Sequence, residues 1–382
     1  MRIMAGTTPS IASCAVRNED VVTYPRPDGI SLSGLLPLKV SGRHYGDNLA
    51  RLDLLFSSLI HFGPGLLDEL LVVVRADEAD HIGRHLAEWP QLPLRVIVED
   101  EHFPAFRRFT RPWQMRPWQR QQIIKLNAPA FTAAPFVLML DPDVVARRPI
   151  TRELLVPGGR AILEPEPRGV HRGWWRDSAD LLDVDPGLKR PGMNVTPAVL
   201  STAVLGEVHD RLEAVGGAPW MDILLTSYCD WTEYSLYLLA GERGRLIERH
   251  HVWADDPVAR IHLHVDPGVS IWDSIGTSPA RLKRLFTADD PGAFAVVQSS
   301  TGLSAGAVAA AAADHFPVRT IPTRPLPAAA GRSKFAERAR LALRLAAQWA
   351  YRSRRGVRRL ARGWRYRRHA VGSPQVEPPS TR

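Results

Sequence analysis

Cysteine is scarce, with two residues in 382, Cys14 and Cys229, lying in unrelated contexts. That excludes a disulfide framework and a cysteine-built structural zinc site, and it fits a reducing compartment. Long apolar runs are missing too. The first twenty residues, MRIMAGTTPSIASCAVRNED, lack the apolar stretch of about 7 to 15 residues that a secretory signal needs. Nowhere do about 18 apolar residues follow one another, as a membrane-crossing helix requires. The expectation is a cytoplasmic protein without a membrane span. No internal repeat is visible.

What the chain does have is apolar content, 45% of its residues, enough for one large α/β domain or two small ones. Its net charge of +9 is unevenly placed. Residues 332–382 hold 15 Lys or Arg against two acids, Glu337 and Glu377, while the remainder has 34 basic and 38 acidic residues. The body of the protein is therefore slightly acidic, which excludes a fold-wide basic surface for nucleic acid. Any basic function belongs to the tail.

Residues 1–30 are irregular, with Pro25, Pro27 and Gly29. LLPLKV at 35–40 then reads as a buried strand. Asp47 is placed to cap a helix that carries Leu49, Leu52, Phe56 and Leu59 on one face and stops at Gly63-Pro64-Gly65. ELLVVV at 69–74 is a second strand, 77–89 a short helix and LRVIVED at 94–100 a third strand. QRQQIIKLNAPAF is a further helix, and FVLML at 136–140 a fourth strand. This alternation predicts an α/β fold with a mostly parallel sheet and helices on both faces. From 151 the pattern is less regular: a strand at 161–166, and helices near 197–214 and 231–240. Residues 319–333 have the composition of a linker.

Ligands of open parallel sheets bind beyond the carboxyl ends of the strands. Asp141 and Asp143 directly follow the fourth strand there. Two carboxylates one residue apart in a tight turn offer hard oxygen ligands to Mg²⁺ or Mn²⁺ and leave positions for phosphate and water. The alternative is a solvated loop capping the next turn. DWTEYSLY at 230–237 puts Asp230 and Glu233 at a helix start, where they suit the helix dipole. Capping by Asp230 or Thr232 is one reading, and general-base catalysis by Glu233 or Asp230 the other. His262 and His264 alternate in RIHLHV, a strand pattern that turns both to one face. Trp113, Trp118, Trp174 and Trp175 suit either stacking on a sugar or base, or core packing.

The block KLNAPAFTAAPFVLMLDPDVVARRPI, with Lys125-Leu126, Asp141, Asp143, Val144 and Arg148-Pro149, resembles the metal-motif region of GT-A glycosyltransferases. LPLKV, HYGDNLARLDLLFSSL, DWTEYSLY, SIWDS and FAVVQSSTG extend a resemblance to a family of bacterial GT-A-like proteins over about 31–318. It implies a GT-A fold, with a nucleotide-sugar half at 31–150 and an acceptor half at 151–318. It also implies a metal-dependent transfer from a nucleotide-sugar donor to a glycan or lipid-linked acceptor. Lys39 and Lys125 are then candidates for the nucleotide and diphosphate, and His264 for completing the metal site; each lysine is equally compatible with a surface role. Two alternatives stay open. A sugar nucleotidyltransferase needs a glycine-rich, lysine-containing phosphate loop, where this chain has KVSGRHYGDN. A scaffold that kept the fold and lost activity is the other.

The tail, 334–370, sets Phe335, Ala339, Ala342, Ala346 and Trp349 on one helical face amid arginine. This pattern suits an anionic membrane surface at the inner face of the cell membrane. A disordered tail or a nucleic-acid contact are the rivals.

Overall fold

The computed structural model describes residues 29–40, 45–108, 117–193, 195–227, 229–266, 269–272 and 279–322, with isolated helical positions at Leu343, Ala346 and Ser353. The strands in chain order are β1 (Leu32–Pro37), β2 (Glu69–Val74), β3 (Leu94–Val98), β4 (Phe136–Met139), β5 (Val144–Ala146), β6 (Ala161–Leu163), β7 (Glu166–Pro167), β8 (Pro191–Gly192), β9 (Ala198–Ser201), β10 (His251–Trp253), β11 (His262–His264) and β12 (Gly292–Val296).

The central sheet has the order β3-β2-β1-β4-β9, parallel throughout except for the antiparallel edge strand β9. Its strands read as continuous apolar runs because both faces are covered. Alternate side chains enter opposite cores. Leu35, Leu71, Val137 and Met139 pack with Trp175, Leu205 and Tyr237 on one face. Leu36, Leu70, Leu138 and Leu140 pack with Leu52, Phe56 and Ile82 on the other. The expected mixed α/β architecture is the one observed.

A second sheet, β11-β12-β5, takes up the chain directly after the Asp141-Pro142-Asp143 turn, which therefore bridges two sheets. β12 runs antiparallel to β5, and Val297 N–H donates to the Asp143 carbonyl at 2.9 Å.

The helix Tyr45–Phe62 starts two residues before Asp47, so Asp47 is not its cap. Its carboxylate instead accepts from Arg51 Nε at 2.7 Å and from Ala305 N–H at 2.6 Å. Gly65, at φ 70°, lets the chain turn away after that helix. The segment expected to open a helix near 197 begins as strand β9, and the helix Thr202–Gly216 follows it. The strand expected at 161–166 is shorter and pairs with β10, outside the central sheet. The amphipathic tail expected over 334–370 lies outside the described residues, apart from the three isolated positions. Among the described residues no helix is long and apolar enough to cross a membrane.

Candidate active site

β1 continues outward through β2 and β3 on one side, and β4 returns on its other side. The carboxyl ends of β1 and β4 thus flank the point where the winding reverses, the usual ligand crevice of such sheets. Asp141 and Asp143 stand at the end of β4.

The helix Pro117–Leu126 delivers Lys125 beneath them. Lys125 Nζ donates to Asp141 Oδ2 at 3.2 Å and to Thr196 Oγ1 at 2.8 Å, and lies 3.4 Å from Glu233 Oε1. Thr196 Oγ1 is 2.6 Å from the hydroxyl of Tyr234. The helix Glu233–Arg243 supplies Glu233 and Tyr234, its first two residues. Burial works against the Lys125 charge, but Asp141, Tyr234 and Glu233 outweigh it and raise its pKa, so the ammonium persists. Burial raises the Glu233 pKa, with Lys125 pulling down and Asp141 pushing up.

The aspartates are poorly compensated. Asp141 Oδ1 is buried and has no hydrogen bond, although Lys125 Nζ is 3.1 Å away. Asp143 accepts one backbone hydrogen bond, from Ser299 N–H at 3.1 Å. Burial, and then repulsion from Asp141, push its carboxyl up to about 6. Two neighbouring carboxylates with one lysine between Asp141 and Glu233, the second of the pair resisting ionisation, are a fit for a hard divalent cation, which would relieve their repulsion.

His264 is not brought to this pair. It lies level with Phe294 of β12, which is level with Ala146 of β5, whereas Asp143 is level with Val297. The offset is three residues along and two strands across, roughly 10 Å in each direction. Among the described residues no three His, Cys, Asp or Glu side chains gather to hold a metal. Burial pulls the His264 pKa down to about 4, against the carbonyls of Pro197 and Val195, so its ring is neutral. His262 Nδ1 is 2.8 Å from Glu164 Oε1.

Two cavities flank the charged cluster. One, of about 260 Å³, opens at the ends of β1 to β3 and is lined by Lys39, Arg75, Trp118 and Arg120, with Glu99, paired to Arg120, the one acid among the described residues. Lys39 is therefore at a cavity. Trp118 meets Trp174 with ring centroids 5.6 Å apart. The other cavity, about 390 Å³, lies past β9 and includes His262, His264 and Trp272. Trp175, by contrast, is core, buried beneath the Arg168 guanidinium. Trp113 lies outside the described residues.

Asp230 does not cap its helix. Thr232 does, in a reciprocal box with Ser235, while Asp230 donates its N–H to Asp177 at 2.8 Å. Glu233 faces Lys125 and lines neither cavity. Thr196, Tyr234, Arg75, Arg120 and Arg51 were missed by the sequence reading. Arg51 donates to the carbonyls of Val297 and Leu303, which holds the FAVVQSSTG segment against Asp143. Tyr234 and Arg51 sat inside recognised motifs; Thr196, Arg75 and Arg120 carry no local signal.

A family model described as "Family of unknown function (DUF6492)" matches residues 30–320. The chain belongs to that family. No curated protein matches this DUF6492 member. Among solved structures it is similar to mouse xyloside xylosyltransferase 1 in its apo form, at 15% identity over 72% of this chain and 99% of that one, with a TM-score of 0.39. It is also similar to the galactosyltransferase LgtC in complex with donor and acceptor sugar analogues, at 12% identity, 76% and 97% coverage and a TM-score of 0.42. Likeness this distant fixes no activity.

Proposed function

We propose that this chain is a glycosyltransferase that binds a nucleotide sugar with Mn²⁺ or Mg²⁺ at Asp141 and Asp143 and moves the sugar to a hydroxyl of a glycan or lipid-linked acceptor. The observation that carries this reading is the aspartate pair itself. It stands at the reversal point of the sheet, with Asp141 held by Lys125 and the Asp143 carboxyl pushed up to about 6 by burial and by Asp141. The cation, when bound, supplies Lewis-acid stabilisation of the charge on the departing nucleoside diphosphate.

The chain's own residues divide the remaining work. Lys39, Arg75 and Arg120 give the smaller cavity a cationic lining suited to phosphate oxygens, and Trp118 offers a flat face to a base. Lys125 holds Asp141 in place, and Glu233 acts as the second anchor of that lysine. Its burial against Lys125 supports positioning in place of the general-base role expected from sequence.

Calorimetry with a panel of sugar nucleotides in the presence and absence of Mn²⁺ tests the reading and separates an enzyme from a catalytically silent scaffold. The full chain should bind at least one donor only with the metal, and Asp141→Asn should weaken that binding at least tenfold while remaining folded. Unchanged donor affinity in a folded Asp141→Asn variant sinks the assignment.

A further inference from the structure

We propose that the larger cavity, past β9, is the acceptor subsite and takes an uncharged, polyhydroxylated sugar ring while rejecting phosphorylated or carboxylated sugars; the acceptor role rests on the function proposed above. At about 390 Å³ it is large enough for a small ligand, such sites running from about 300 to 1,000 Å³. Its polar lining comes from Glu164, Glu166, Asp266 and Asp290 with two histidines, and no lysine or arginine lines it among the described residues. The smaller cavity has the opposite character.

The acceptors in this chamber are fixed in advance. Glu164 is held by His262 Nδ1 at 2.8 Å and by Leu263 N–H at 2.9 Å. Asp290 accepts from Gly292 N–H at 2.7 Å and from Asp266 N–H at 2.9 Å, and Arg147 Nη1 lies 3.6 Å from its Oδ1. These carboxylates can accept from a hydroxyl donor, and an anion entering the cavity meets repulsion from Glu164, Glu166 and Asp266, which no lysine or arginine of the lining, among the described residues, offsets. His264 lines the same cavity, its ring set against the carbonyls of Pro197 and Val195. Trp272, partly buried, gives the cavity a flat apolar face of the kind sugar rings stack on.

The cavity also adjoins the charged cluster. Val195 and Pro197 line it, whereas Thr196 between them turns its hydroxyl to Lys125. One short segment separates the chamber from the residues around Asp141.

Ligand-observed NMR and calorimetry on the full chain, without donor or metal, provide the test. The probes are methyl glucoside, methyl galactoside, methyl mannoside and lactose, against glucose 6-phosphate and glucuronic acid. At least one neutral probe should bind more tightly than both anionic ones. Trp272→Ala and His264→Phe should each weaken it at least fivefold, with a native circular dichroism spectrum and a cooperative thermal transition as the check that each variant is folded. Asp141→Asn should leave glycoside binding unchanged, so failure of the donor assignment and failure of this one are read separately. Binding by no neutral probe, anionic probes binding equally well, or glycoside affinity unmoved by Trp272→Ala overturns the proposal.

Discussion

Asp143 concentrates the electrostatic cost of the site in one side chain. Its carboxyl titrates near 6 in the folded protein, against an ordinary value of about 4. The folded chain therefore holds that proton more tightly than the unfolded one. Stability falls as pH rises through about 4 to 6 and stays lowered above it. Asp143→Asn, which keeps an oxygen for Ser299 N–H, should raise the melting temperature at pH 7.5, by the equivalent of on the order of 2 kcal/mol. At pH 4 the gain should vanish. Scanning calorimetry at the two pH values checks this, and an equal gain at both removes the carboxylate repulsion from the account. For Glu233, anchoring and base catalysis separate in the same way. Gln keeps the shape but removes a charge that burial disfavours and that steadies Lys125. Glu233→Gln should thus leave the melting temperature at pH 7.5 no lower than wild type while weakening donor binding; a variant with unchanged donor affinity but a transfer rate down a hundredfold would restore the base. The aspartates were legible because they directly follow an apolar strand, and Lys125 only because it falls in a block that resembles a known family. Thr196 was not, since its bond to Lys125 spans 71 residues and leaves no periodic trace.

At the level of elements, β1 to β4 were legible because each is an apolar run bounded by turn residues. β9 was not. Its AVLS segment is too short for a period of two to be told from a period of 3.6, and its place at the sheet edge is a tertiary fact. The second sheet was equally hidden, since β5 has three residues and finds its partner, β12, about 150 residues later. The cap at 232 was readable as one of two candidates, and only the backbone decides between them. Thr232→Ala should cost about 1 kcal/mol, read as a lower midpoint in urea, whereas Asp230→Asn should leave the midpoint near wild type. Gly292 gives a sharper test of the β11–β12 contact. An added Cβ would lie 2.2 Å from the backbone nitrogen of Val265, which cannot swing aside as a flexible side chain would. Gly292→Ala should destabilise by at least about 1 to 3 kcal/mol. Because β11 carries His264, sugar binding in the larger cavity should suffer with it.

On the scale of the whole molecule, charge is partitioned along the chain as well as between the two cavities. With 15 Lys or Arg in residues 332–382 and a slightly acidic remainder, attraction to an anionic surface falls to the tail. Each basic residue near such a surface contributes on the order of 1 kcal/mol. Removing 332–382 should abolish co-sedimentation with phosphatidylserine vesicles while donor binding persists; equal sedimentation of both forms eliminates the membrane role. Inside the body, the Val195–Pro197 segment has a broader consequence. Its middle residue steadies the lysine behind the aspartates proposed to bind the metal, and its outer residues shape the chamber proposed for the acceptor. If both proposals hold, a change made there to admit a different acceptor is also felt by the donor. Preference for one substrate cannot drift freely of preference for the other, and variants selected for a new acceptor should need compensating changes around Lys125.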